Sequence, residues 1–111
     1  MVVSSPNIQS GSTPPGQGWQ QYTGPGGPGI FIDVNTQEPP GRDQFTKTPT
    51  YVISIGGYSA HWNTTGGNAV YLPTASGFRV YVRWVNGAPL SPGDAAANGW
   101  RIHWIGCEEF A

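Results

Sequence analysis

Residues 77 to 85, Gly-Phe-Arg-Val-Tyr-Val-Arg-Trp-Val, form the longest strict alternation of apolar and polar positions in the chain. Successive side chains of a strand point to opposite sides, so Phe78, Val80, Val82 and Trp84 share one face and Arg79, Tyr81, Arg83 and Val85 the other. The first face reads as core. Residues 100 to 107 alternate in the same way, with Trp100, Ile102 and Trp104 opposite Arg101, His103 and Ile105. Shorter apolar runs, Trp19 to Tyr22, Ile30 to Val34, Tyr51 to Ile55 and Ala69 to Leu72, supply four more strands, separated by Gly, Pro and Asn turn signals. Ser91-Pro92-Gly93-Asp94 carries an N-cap serine, proline at the first helical position and an acid three residues after the cap. It predicts one to two helical turns ending at Gly99. The expected fold is an all-β, six-stranded antiparallel β-sandwich with one short helix before the last strand.

Residues 1 to 17, rich in Ser, Pro, Gln and Gly, read as a flexible tail or linker, and residues 18 to 111 as the domain. Seventeen Gly and eleven Pro make about a quarter of the 111 residues, a turn-rich composition. Five Trp, five Tyr and four Phe supply enough buried area for an ordered core. Only 10% of residues are charged and the net charge is −1, so there is no basic stripe for nucleic acid. No apolar run is long enough for a membrane span, and the first residues do not resemble a signal peptide. The lone Cys107 has no partner for an internal disulfide and is expected as a small buried residue at a strand end.

Gly56 to Gly67 holds Tyr58, His61 and Trp62 between two glycine pairs, a composition suited to a contact surface or, for Trp62, to a lid over the core. If the last two long strands are neighbours, Arg79, Tyr81, Arg83, Arg101 and His103 occupy one face. Like charges placed side by side need carboxylates from elsewhere, from Asp33, Glu108, Glu109 or a neighbouring subunit. That face is expected to be an oligomer interface, because Arg and Tyr are enriched at such surfaces. The two histidines are far apart with no clustered carboxylates, which gives no metal site. Asp33, His61 and His103 lie on different elements, and no nucleophile and base are brought together. No enzyme and no cofactor are expected.

Phe45 followed by Pro49, Tyr51 to Ile55, Ser76-Gly77-Phe78 running to Trp84, and Trp104-Ile105-Gly106-Cys107-Glu108 together resemble the H-type lectin domain over roughly residues 18 to 109. The resemblance implies a six-stranded sandwich that assembles as a trimer, with sugar pockets in loops near subunit interfaces. Val85 stands where the family has a sugar-binding histidine after the strand tryptophan, and the family's disulfides are absent, which points to a prokaryotic or viral relative. Two functions follow as expectations. One is a non-catalytic carbohydrate-binding module on a homotrimer, extracellular or on a virion fibre, with Tyr58, His61, Trp62, Asn86 and Arg42 contacting a glycan. The other is a trimerisation or fibre-assembly module without a sugar ligand.

Overall fold

The computed structural model describes residues 7–38 and 44–109. Arg42 and the first six residues of the expected tail lie outside them. The strands are β1 (Asn7–Ser12), β2 (Trp19–Tyr22), β3 (Gly29–Asn35), β4 (Thr50–Gly56), β5 (Thr64–Thr65), β6 (Tyr71–Thr74), β7 (Gly77–Trp84) and β8 (Arg101–Glu108), with helix α1 (Pro92–Ala97) before the last. They form two antiparallel sheets. One has the order β1-β8-β4. The other has the order β2-β3-β7-β5, with β6 also paired to β7.

The all-β, two-sheet architecture matches the expectation; the strand count does not. Among the described residues eight strands are present rather than six. Asn7–Ser12, expected as tail, pairs along its whole length with Glu108 to His103. Its alternation was hidden because its inward positions are Asn7, Gln9 and Gly11 rather than large apolar residues. Gly11 is a requirement of packing, since a Cβ there would stand 2.9 Å from the Trp104 indole. The second extra strand, β5, is two residues long and lies inside the expected loop. The strand expected at Ala69–Leu72 starts and ends later, and Pro73 sits within β6 rather than closing it, tolerated because β6 is a bulged edge strand.

The core lies between the sheets. Phe78, Val80 and Val82 of β7 and Ile30, Ile32 and Val34 of β3 face Ile102 and Trp104 of β8 and Tyr51 and Ile53 of β4, all buried. Trp100 is fully buried at one end, in edge-to-face contact with Trp84, and its indole N–H donates to the Ser59 carbonyl at 2.8 Å. Trp19 in turn donates to the Trp100 carbonyl at 3.1 Å. Burial raises the pKa of Tyr51, against the smaller lowering effect of Thr36, and its hydroxyl donates to the Thr74 carbonyl at 2.7 Å. The helix begins as its sequence predicts. Ser91 and Asp94 form the reciprocal capping box, with Pro92 at the first turn. Among the described residues no helix is long and apolar enough to cross a membrane.

This arrangement corrects the shared-face expectation. β7 and β8 belong to different sheets because their apolar faces meet each other across the core, so their polar faces point to opposite sides of the molecule. Arg79, Tyr81 and Arg83 lie on one outer face, and Arg101 and His103 on the other. The cations separate, and the repulsion that called for a partner's carboxylates does not arise. Cys107 is also placed differently from expectation. It is a partly exposed free thiol on the outer side of β8.

Candidate functional site: a tyrosine groove on the five-stranded sheet

The outer face of the larger sheet is built from register. Phe31 of β3 pairs with Tyr81 of β7, and Asp33 pairs with Arg79. On the far side of β7, the short strands β5 and β6 cover only its two ends. Thr65 is opposite Arg83 and Tyr71 opposite Arg79. Among the described residues no strand covers Tyr81 on that edge, and Thr65, Gly66 and Tyr71 line a groove there. Gly66 makes this possible. It has φ +100, and a Cβ at that position would collide with the Tyr81 carbonyl oxygen.

The groove has a volume of about 490 Å³ and is lined by Tyr22, Gly26, Thr65, Tyr71, Tyr81 and Arg83, among others. That is within the roughly 300–1,000 Å³ of small-ligand sites. Its floor is aromatic. The Tyr81 ring meets Tyr71 edge to face at 4.9 Å and Tyr22 at 5.3 Å, and Phe31 lies 6.0 Å away on the sheet. Such tilted and perpendicular pairs each add about 0.5–1.5 kcal/mol beyond burial, so the rings hold one another in place. The Tyr22 hydroxyl donates to the Pro25 carbonyl at 2.6 Å, tying the Gly-Pro loop to the floor.

The two arginines flank this floor in unlike states. Arg79 makes a two-pronged bond to Asp33, Nε to Oδ1 at 2.7 Å and Nη2 to Oδ2 at 2.9 Å, and its guanidinium carbon lies 4.3 Å from the Phe31 ring centre. It also donates to the Tyr81 hydroxyl at 3.3 Å. Hydrogen bonding to Asp33 first, then to Tyr81, holds Arg79 protonated even more firmly than an ordinary guanidinium. Among the described residues Arg83 makes one bond, from Nη1 to the Gly26 carbonyl at 2.7 Å. Gly26 and Gly27, at φ +101 and +100, give the loop the left-handed conformation that presents that carbonyl.

The sequence-predicted ligand residues are elsewhere. Trp62, in the 3-10 turn His61–Asn63, is 83% exposed, so it is not a lid over the core. Tyr58 lies against Gly99 just after α1, with its backbone N–H on the Asn98 carbonyl. Asn86 lines a separate hollow with Asn63, Trp84, Val85 and Ala88, and its side-chain carbonyl accepts from the Ala88 N–H. His61 is partly buried, with Nδ1 lacking a hydrogen-bond partner. None of the four lines the tyrosine groove. Of the expected interface set, Tyr81 and Arg83 line it and Arg79 stands beside it. Arg101 and His103 are on the opposite sheet, where Arg101 donates to the Thr13 carbonyl and His103 shares a 2.7 Å hydrogen bond with Ser12.

Sequence reasoning missed Tyr22, Phe31 and Tyr71 as members of the site. The signal for Phe31 was present, because alternation puts it with Asp33 opposite Ile30, Ile32 and Val34. An outward phenylalanine next to an outward acid matches the Tyr81 and Arg79 pattern of the neighbouring strand. Comparison of the chain with protein-family models, with curated proteins and with solved structures finds no match.

Proposed function

We propose that this domain is a non-catalytic carbohydrate-binding module whose site is the tyrosine groove. The observation that carries the reading is a concave aromatic floor with converging polar groups. Tyrosine rings offer flat faces to the apolar side of a pyranose, while the hydroxyls of Tyr71, Tyr81 and Thr65 and the guanidinium of Arg83 reach for its hydroxyls. Aromatic side chains also provide contact area at low entropic cost, and here they are fixed by one another. The resemblance to H-type lectins favours the same class of ligand, with the contact surface moved from the Trp62 loop to the sheet. A glycan array probed with wild type and with Tyr81→Ala tests the proposal. Saturable binding that the variant loses supports it, and binding that survives in Tyr81→Ala but disappears in Trp62→Ala returns the site to the loop.

A second reading, an assembly module, draws on the opposite face. Ile8, Val52 and Ile105 are 60%, 66% and 51% exposed there, with Ser10, Ser12 and Ser54 around them. Such a serine-rich aliphatic strip meets a second copy of itself with little like-charge repulsion. Mass by light scattering across a concentration series, for wild type and Val52→Ser, tests it. A single monomer mass throughout removes this reading.

A further inference from the structure

We infer that the groove selects saccharides bearing a carboxylate, with Arg83 as the group that receives it. The inference rests on the carbohydrate-binding reading above and names its ligand class.

The two arginines differ in what they already hold. A guanidinium has five N–H donors in a planar fork suited to a carboxylate. Arg79 has its carboxylate already, from Asp33 on the neighbouring strand. Arg83 has only the neutral Gly26 carbonyl, on one nitrogen. Among the described residues it has no acidic partner, and no Asp or Glu lines the groove. Among the described residues Arg83 is therefore the one formal charge lining the groove, the others being tyrosines, glycines, Thr65, Pro25, Ile30 and Val82.

The charge is local. The whole chain has five Lys and Arg against six Asp and Glu, so Arg83 does not belong to a generally basic surface. Its head group is also held. The bond to Gly26 fixes one edge of the fork and leaves the other nitrogens available, so less side-chain freedom is lost when a ligand arrives. Thr65, directly across the strand pair, adds a hydroxyl beside it. Two strand residues separate neighbours on one face by about 7 Å. That spacing sets Arg83 beside the Tyr81 ring, so a sugar stacked on the ring brings a carboxylate at its edge to the fork. A neutral sugar makes only weaker, uncharged bonds there. Charge-assisted bonds are roughly twice as strong as neutral ones.

The test is calorimetric titration with matched probes: sialyllactose against lactose, trigalacturonate against its methyl ester, and lactose 3-sulfate as a non-carboxylate anion. The expected result is that each carboxylate probe binds about tenfold or more tighter than its neutral counterpart. That advantage shrinks as salt is raised, is lost in Arg83→Gln and is partly kept in Arg83→Lys, with thermal melting confirming that both variants fold. Equal affinity for acidic and neutral probes, both lost in Tyr81→Ala, overturns carboxylate selection and leaves carbohydrate binding intact. Sulfated lactose bound as tightly as sialyllactose overturns the preference for carboxylate over other anions. An absence of binding to every probe, extended to the full glycan array, overturns the carbohydrate reading itself.

Discussion

The two outer faces of the sandwich are built from the same alternation and have opposite characters. On the five-stranded sheet, Phe31, Asp33, Arg79 and Tyr81 contact one another across strands, and short strands at the edge of β7 leave a groove between them. On the three-stranded sheet, β8 is covered along both edges by β1 and β4, and the outward residues are serines and aliphatics with Arg101, Cys107 and His103 bonded to Ser12. Full pairing produces a flat face. Incomplete pairing produces a concave one, and the tyrosines and Arg83 line the groove where the sheet is incomplete.

Gly66→Ala is expected to damage the five-stranded sheet most severely. The new methyl meets the backbone carbonyl of Tyr81, which cannot move aside, and φ is in the left-handed region, so a loss of about 3 kcal/mol or more is expected in denaturant unfolding. On the other face, Gly56→Ala places its methyl against the His103 ring, an exposed side chain able to turn, and is expected to cost less than about 1 kcal/mol. Equal losses would mean that the faces do not differ in rigidity.

Tyr81→Ala comes next. It removes the ring that contacts both Tyr22 and Tyr71 and is expected to weaken saccharide binding by about 2 kcal/mol, roughly thirtyfold. Ile105→Ser and Trp62→Ala are expected to leave binding within about twofold, because both positions are exposed and outside the groove. Asp33→Asn sharpens the contrast between the arginines. With its partner neutral, Arg79 becomes a second available cation, and affinity for acidic probes is expected to rise by about twofold with a steeper salt dependence.

Glu108 gives the smallest effect, at the end of the flat face. Its Oε1 accepts from the Lys47 N–H at 2.8 Å, from the Thr46 hydroxyl at 2.9 Å and from the Thr46 N–H. The Lys47 backbone bond is the largest cause of a carboxyl pKa below the ordinary glutamate value, with desolvation opposing it. A carboxyl whose pKa is lower in the folded state contributes stability above its unfolded pKa and loses it as pH falls through the folded one. The melting-temperature gap between wild type and Glu108→Gln is therefore expected to be widest at neutral pH and to close in acid.

Much of the fold was legible because alternation and burial agree. The inward residues of β3, β7 and β8 are the ones the period of two selects, and the capping box at Ser91 announced α1. β1 was not legible, because Asn7, Gln9 and Gly11 satisfy an inward edge position through a hydrogen bond and a glycine fit rather than through hydrophobicity. The site was legible only in part. Tyr81 and Arg83 were visible as an unusual outward pair, but the groove depends on which strands are neighbours. Periodicity within a strand carries no information about the sheet to which the strand belongs. That is why Arg101 and His103 were grouped with residues of the other sheet and why Tyr22 and Tyr71 were not grouped with Tyr81.

The most direct test of the location of the recognition face is a titration of isotope-labelled protein with sialyllactose, followed by backbone amide shifts. The largest shifts are expected at Gly26, Gly27, Thr65, Gly66, Tyr81 and Arg83, with Val52, Ile105 and Trp62 unmoved. Shifts centred on Tyr58 to Trp62, on the β1-β8-β4 face, or nowhere in the molecule would contradict this placement of the recognition face.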